Sequence, residues 1–459
     1  MKKQLSNTKI ILLCLSDFAK GIFTGMIANY LIYFFLPTAE SGITVVISQG
    51  YVALGVLTLI GVVKAIGHII DAFTDPLIAH WSDRCTNRNG RRIPFMRWAS
   101  IPYGLSALLI FCPPVDHIHW INNIWVSVFI WLYFIFYTAY MIPHGALFPE
   151  LITNHKKRLW AYSISSLCFV SGSALVYMTP IPVNMFKESG MSALSAYQLT
   201  FGIMTVIGVI LLLVSAFCIN EKEYTESKIA SIKLFPAVKA AFQNREFRML
   251  TAGQLLEYTS MAFFQATIMY YITILLGLPE AQAPIILGLS IACSVLLYPL
   301  TIRISKRVGK KQALIFALFI FIISYLIIFF GADWPIPPLA KGLMLSVLVS
   351  FPFAALNILP HAMMADVIQY DTIVTGTNKE GIFSAAKSFI TKLGQSIAIM
   401  IVPSIISIGS LEGSSVSRFG IKMTAVVSAV FCALSIIVFY YYDEKKIVNR
   451  IENEKSIIT

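Results

Sequence analysis

Asp71-Ala72-Phe73-Thr74-Asp75-Pro76 closes a long apolar segment that begins near Thr44, and it sets two carboxylates one helical turn apart. At bilayer depth a charged side chain costs roughly 2.5 to 3.5 kcal/mol on insertion scales, and a like charge beside it adds to that. The pair is tolerable there only when a bound cation or a proton neutralises it. Its meaning therefore turns on whether the segment lies in a membrane.

Composition answers that question. The chain has 459 residues, 57% hydrophobic and 13% charged, with a mean hydropathy of +0.75, whereas a soluble domain carries about a quarter charged residues. The pattern is that of an all-α polytopic membrane protein. Apolar stretches of roughly 20 residues bounded by charge or turn clusters predict twelve spans. They run Ile10 to Leu36, Thr44 to Ile70 (continuing as helix to Trp81), Ile93 to Cys112, Ile121 to Leu147, Leu159 to Pro180 and Ala196 to Ile219. The second set is Phe247 to Leu276, Ala283 to Ile302, Gln312 to Gly331, Leu339 to Met364, Gly381 to Ile408 and Phe419 to Tyr442.

Lys and Arg fall in alternate loops: Arg84 to Arg97, Lys156 to Arg158, Lys222 to Arg248 and Arg303 to Lys311. The loops between them hold Glu40, Asp116, Glu280 and Asp333, with Lys187 and Arg418 as isolated exceptions. The positive-inside rule then places both termini in the cytoplasm, and a bacterial inner membrane is the natural home. Topology accounts for the net charge of +12, so no nucleic-acid partner is expected. Lys2 and Lys3 precede an apolar run, but Asp17 and Lys20 interrupt it, so it reads as a first span rather than a signal peptide. The seven cysteines are scattered without CxxC spacing, which argues against a metal cluster or a disulfide framework. His117 and His119 beside Asp116 carry little weight as a metal site.

Twelve spans with one long inner loop divide the chain into an N-terminal six-helix half (1–219), a central cytoplasmic loop (220–246), a C-terminal six-helix half (247–442) and a cytoplasmic tail (443–459). An internal echo supports the split. Asp83-Arg84 and Gly90-Arg91-Arg92 follow the second span, and Lys306-Arg307 and Gly309-Lys310-Lys311 follow the eighth. Secondary transporters are built from such repeats, with the substrate near the midplane. These inner clusters are expected to latch the cytoplasmic side, or only to set topology.

On the second helix Lys64, His68, Asp71 and Asp75 fall within roughly 40° of one another at 100° per residue. Four ionisable groups in one stripe suit a cavity better than lipid. Tyr133, Tyr137, Tyr140 and His144 repeat the spacing on the fourth helix, as cavity lining or as packing. The eleventh helix supplies Lys387, Lys392 and Gln395, the seventh Gln254, Glu257 and Gln265, and the first Asp17 and Lys20. Asp17 and Lys20 are spaced to pair at i, i+3, and Lys392 lies deep enough to meet a carboxylate across the halves.

The segment with Asp71-Ala72, Asp75-Pro76, Asp83-Arg84, Asn89-Gly90-Arg91-Arg92 and Pro94-Phe95 resembles the signature of the glycoside-pentoside-hexuronide:cation symporters. These are the melibiose permease relatives within the major facilitator superfamily. A second signature agrees: Ala365-Asp366-Val367 to Tyr370-Asp371, Thr375-Gly376, Lys379-Glu380-Gly381-Ile382-Phe383 and Lys392-Leu393-Gly394. With Pro143, Phe148-Pro149-Glu150-Leu151 and Arg158, the match spans both halves.

The resemblance implies the major facilitator fold and a coupling-cation site formed by Asp71, Thr74, Asp75 and Thr138, with Lys392 as charge partner. Two carboxylates and two hydroxyls are hard oxygen ligands suited to Na+, and the same acids can take a proton. No cofactor beyond that ion is implied. The permease's sugar-contacting aspartate on the first helix falls on Gly21, its fourth-helix aspartate on Met141, its fourth-helix tryptophan on Gly145 and its fifth-helix arginine on Ser166. The cation half of the pattern is retained and the galactoside half is not. Lys20, Lys64, His68 and His144 instead offer donors and positive charge, which suits an acidic sugar unless Lys64 and His68 only offset the aspartates. Tyr137, Tyr140, Glu257, Gln265 and Gln395 complete the expected substrate cavity, and Asp83, Arg84, Gly90, Arg91 and Arg92 the latch.

The expected function is symport of a sugar, glycoside or hexuronide with Na+ or H+ by a monomer in contact with membrane lipid. A cation-coupled lysophospholipid carrier is the alternative. No nucleophile or metal constellation suggests an enzyme, and the 17-residue tail after Tyr442 offers no room for a signalling domain.

Overall fold

The computed structural model describes residues 5–38, 41–48, 51–53, 57–85, 87, 90–152, 155–221, 242–375, 380–409 and 416–458. Most of the central loop, Glu40, Asn89, Gly376 and Lys379 lie outside these residues. Among the described residues the long elements are α1 (Asn7–Phe35), α2 (Leu59–Arg84), α3 (Ile93–Ile110), α4 (Trp120–Leu151), α5 (His155–Tyr177) and α6 (Ala193–Phe217). They continue as α7 (Arg245–Tyr270), α8 (Ala283–Val308), α9 (Lys310–Phe330), α10 (Pro338–Thr375), α11 (Glu380–Ile406) and α12 (Arg418–Tyr440). Nine of these regions are long and apolar enough to cross a membrane. The other three, α2, α3 and α7, hold Asp71 and Asp75, Arg97, and Glu257 within their lengths.

The chain divides into an N-terminal unit, residues 1–231 with 410–416, and a C-terminal unit formed by the rest. In the N-terminal unit α1 packs on α5 and α6, α2 on α4, and α3 on α4 and α6. In the C-terminal unit α7 packs on α11 and α12, α8 on α10, and α9 on α10 and α12. The two sets of pairings are the same with six added to each helix number, so the repeat is a repeat of packing. It extends to backbone detail. Helix α1 loosens into a π-turn at Met26–Tyr30, and α7 runs into one at Tyr271–Leu275. Glycine brings helix backbones together at matching joints. A Cβ on Gly172 of α5 would overlap the Phe18 carbonyl of α1, and one on Gly394 of α11 would sit 2.7 Å from the Leu255 carbonyl oxygen of α7.

Two boundaries depart from expectation. Helix α2 begins at Leu59, not near Thr44, because the preceding stretch includes a short antiparallel hairpin, β1 (Tyr51–Ala53) with β2 (Leu57–Thr58). Hydrophobicity locates an apolar run, but the β-branched Thr44, Val45, Val46 and Ile47 favour extended backbone. Thr58 then caps α2, accepting from Gly61 N at 3.4 Å. Helix α10 continues eleven residues past Met364, to Thr375. Two helices were not foreseen at all: Pro180–Glu188, and the polar Glu444–Ile458, which packs on α10.

Candidate cation site and the latches of each half

Helices α2 and α4 pack side by side and carry the predicted oxygen ligands. The Thr138 hydroxyl of α4 is hydrogen-bonded to Asp71 Oδ1 and lies 3.2 Å from Asp75 Oδ1. Thr74 Oγ1 is 3.4 Å from Thr138 Oγ1 and donates to the Asp71 carbonyl at 3.2 Å. Thr138 is fully buried, Asp71 is 2% exposed and Asp75 is half-buried. Two carboxylates thus converge on a hydroxyl that has one proton to give. Pro76, inside α2, also lacks the N–H that would bond the Ala72 carbonyl. The result is an oxygen-rich, acid-rich spot with the makeup that a hard cation or a proton requires.

The rest of the stripe on α2 turns inward to packing. Lys64 is 2% exposed, and its ammonium donates to the Ile27 carbonyl within the π-turn of α1 at 3.0 Å. His68 is buried with its ring 4.5 Å from that of Phe134. On α4 the phenol of Tyr140, fully buried, donates to the Leu212 carbonyl of α6 at 2.9 Å. Tyr140 therefore ties α4 to α6. Tyr137 is half-buried against Tyr103 and Tyr133.

A polar group links α1, α4 and α5. His144 Nε2 lies 2.7 Å from Ser16 Oγ, Asp17 accepts from Ser165 Oγ at 2.5 Å, and the Lys20 ammonium sits 5.6 Å from the centre of the Phe169 ring. The expected Asp17–Lys20 pair is not made; both residues reach across to α5 instead. Gly21, one residue further, explains the missing galactoside aspartate. A Cβ there would overlap the Phe169 carbonyl and come within 2.8 Å of Ser173 N, so this chain uses the position to seat α1 on α5.

The basic clusters, expected as cytoplasmic latches, form matching capping and ion-pair joints, each within its own half. Gly90 and Gly309 adopt positive φ, +115° and +95°, a conformation that glycine reaches without strain. Each is followed by a helix whose first N–H groups are capped by a distant acid. Glu221, after α6, accepts from Arg92 N at 2.8 Å and Ile93 N at 3.2 Å, and Glu444, after α12, accepts from Lys310 N at 2.7 Å and Lys311 N at 2.9 Å. A carboxylate at a helix N-terminus also meets the positive end of the helix dipole. A second acid completes each latch. Glu150 of α4 pairs with Arg91 at 3.4 Å and Arg92 at 2.9 Å, and Asp366 of α10 pairs with Lys310 at 2.5 Å.

Arg84 is exposed, and the side chain of Asp83 lies outside the described residues. Sequence reasoning found the basic half of each latch and missed Glu221 and Glu444. The signal was present: Asn220-Glu221 and Asp443-Glu444 follow the sixth span of each half.

In the C-terminal unit Lys392, Gln265 and Gln395 are half-buried, and Glu257 is 1% exposed.

A family model described as MFS/sugar transport protein matches residues 13–444. The chain is 24% identical over 443 residues to the isoprimeverose transporter of Lactiplantibacillus pentosus, covering 94% of this chain and 88% of that one. It is 23% identical over 475 residues to the glucuronide carrier protein homolog of Escherichia coli K12, covering 100% and 98%. Among solved structures, a D-xylose-proton symporter aligns with a TM-score of 0.65 at 13% identity, over 94% of this chain and 97% of that one, and shares the fold. Its signatures stand in order through both halves and the family model spans almost its whole length; the chain belongs to the MFS/sugar transport protein family and, within it, to the glycoside-pentoside-hexuronide:cation symporters.

Proposed function

We propose that the chain carries a sugar or glycoside across a bacterial inner membrane together with a cation held by Asp71 and Asp75. Thr74 and Thr138 serve as further oxygen ligands, and Lys392 as charge partner. The observation that carries this reading is the convergence of both carboxylates on the Thr138 hydroxyl. Without a cation the two acids repel. A bound Na+ or proton removes that repulsion and fixes α2 against α4. Substrate affinity then rises with cation occupancy, and reciprocity requires that substrate raise cation affinity equally. One inward charge at about 2.3 kcal/mol per 100 mV supports roughly 50-fold accumulation of a neutral substrate.

The two halves are proposed to alternate access to the substrate, with the Arg91–Arg92 and Lys310–Lys311 latches on the cytoplasmic side, where both termini also lie. Lys20, Tyr137, His144, Gln265 and Gln395 are the proposed sugar-contacting set. Lys64 donates to the Ile27 carbonyl and one ring nitrogen of His144 is paired with Ser16 Oγ, so an acidic sugar would be met by Lys20, with His68 and the other nitrogen of His144 as further donors. The relatives carry sugar substrates in their names, which disfavours the lysophospholipid alternative. Asp75→Cys tests the reading. It should abolish cation-driven uptake while the protein still folds and still exchanges substrate across the membrane without a gradient. Accumulation at the wild-type level in Asp75→Cys would sink it.

A further inference from the structure

The cation reading gives no part to Glu257. Glu257 of α7 is 1% exposed, and neither of its carboxylate oxygens has a hydrogen-bond partner among the described residues. The donors on neighbouring turns are committed elsewhere. Gln254 Nε2 donates to the Pro360 carbonyl at 3.1 Å, Thr259 Oγ1 to the Leu255 and Gly394 carbonyls at 2.7 and 3.1 Å, and Ser260 Oγ to the Ser428 carbonyl at 3.0 Å. An ionised carboxylate in such a place has nothing to replace its lost water. A carboxylic acid does: Gln254 Oε1, three residues earlier on the same helix, is likewise without a donor among the described residues.

The other titratable groups around Glu257 form a path of rising exposure. Lys387, half-buried on α11, which packs on α7, holds its ammonium 2.9 Å from Nδ1 of His361 on α10, which is exposed. Tyr258 is next on the same helix, and Cys432 of α12 lies 3.1 Å from Ser260 Oγ, one turn on from Glu257. The structure holds Lys387 on the imidazole, on a helix packed against that of Glu257.

We propose that Glu257 is a second protonation site, in the C-terminal half, that carries a proton independently of the cation at Asp71 and Asp75. This rests on the reading of the chain as a cation-coupled symporter. In the arrangement seen here Glu257 is a neutral acid and Lys387 bonds the His361 lone pair. As Lys387 moves from His361 to Glu257, the Glu257 O–H proton leaves to a water molecule and the carboxylate so formed pairs with the ammonium. That water gives the proton to the freed Nδ1 lone pair, which releases it to solvent. Lys387 keeps its charge throughout, and the sequence reverses on reloading. Each step changes the contact between α7 and α11, the joint where Gly394 already brings the backbones together.

Infrared difference spectra of the purified full chain, acidic minus alkaline buffer, test this without needing a substrate. The protonated-carboxyl carbonyl band of the wild type should hold one component that is absent in Glu257→Gln and retained in Asp71→Asn. In Lys387→Met, where the counter-charge is gone, the band should persist in alkaline buffer, a change that a purely structural Lys387 would not produce. Should Glu257→Gln fail to fold, Glu257→Asp serves, with the band moved in frequency rather than lost. A band unchanged in both Glu257 variants, or lost in Asp71→Asn instead, overturns the proposal. Loss of cation-driven stabilisation in Asp71→Asn bears on the first site alone, so failure of one reading is distinguishable from failure of the other.

Discussion

Asp71→Asn should make the protein more stable in the absence of cation and blind to its addition. Asn keeps an acceptor oxygen for the Thr138 hydroxyl and nearly the same volume, so the change is chiefly one of charge. Because one Asp71 oxygen and one Asp75 oxygen both lie within hydrogen-bond reach of Thr138 Oγ1, they are within about 6 Å of each other. At an effective dielectric of ~20, two like charges at that separation repel by about 3 kcal/mol. Asp71 is 2% exposed, but Asp75 is half-buried, so solvent screening brings the repulsion to about 1 to 3 kcal/mol. At roughly 2.1 cal/mol/K of unfolding entropy per residue, this is a rise of about 1 to 3 °C for a chain of this length.

The wild type, in contrast, should gain about 2.7 kcal/mol when the ion reaches a hundred times its dissociation constant. Thermal melts in detergent, in alkaline buffer with choline replaced stepwise by Na+ and then over an acid series, separate the two effects and name the ion. An Asp71→Asn protein that melts below the wild type without cation, or that gains as much from the ion, would refute the reasoning.

Three further outcomes follow from the packing. Glu221→Ala strands the Arg92 and Ile93 N–H groups at the start of α3 and should cost about 2 to 4 kcal/mol by melting. Glu444→Ala should do the same for α9, and Arg84→Ala, at an exposed position, should change little. Gly172→Ala forces α5 away from the Phe18 carbonyl and should cost about 1 to 3 kcal/mol, while Gly145→Ala, with nothing within 4 Å of its Cβ, should fold normally in the same fluorescence-detected size-exclusion assay. Lys64→Met removes the tie to the Ile27 carbonyl and should lower the melting temperature while leaving the stabilisation by cation intact; loss of that stabilisation would make Lys64 a neutraliser of the aspartates instead.

Much of this was legible in the sequence because membrane chemistry is strict. Charge in an apolar run is costly, so Asp71 and Asp75 stood out, and helical spacing placed them on one face with Lys64 and His68. The pairing of Asp71 and Asp75 with Thr138 came from family resemblance, since spacing on α2 says nothing about which turn of α4 lies opposite. Spacing also cannot tell a cavity wall from a helix joint. Tyr140 and Lys64 satisfy the same periodicity as functional residues, yet each spends its polar atom on a backbone carbonyl of a neighbouring helix. The capping acids were missed for a different reason: their place after the sixth span of each half is marked in the sequence, but Glu221 lies 129 residues from Arg92, so the N–H groups it caps show only in the packing. The late start of α2 was missed because an apolar, β-branched run satisfies a hydropathy window whether it is helix or hairpin.

The central claim is that cation binding at Asp71 and Asp75 drives sugar accumulation. Uptake of labelled glucuronides and of labelled neutral glycosides into membrane vesicles, under an imposed Na+ or proton gradient, tests it most directly. Gradient-dependent accumulation of one of these sugars, following one ion and vanishing in Asp71→Asn, is the predicted result. Accumulation that follows neither gradient, or that persists at full extent in Asp71→Asn, would contradict it.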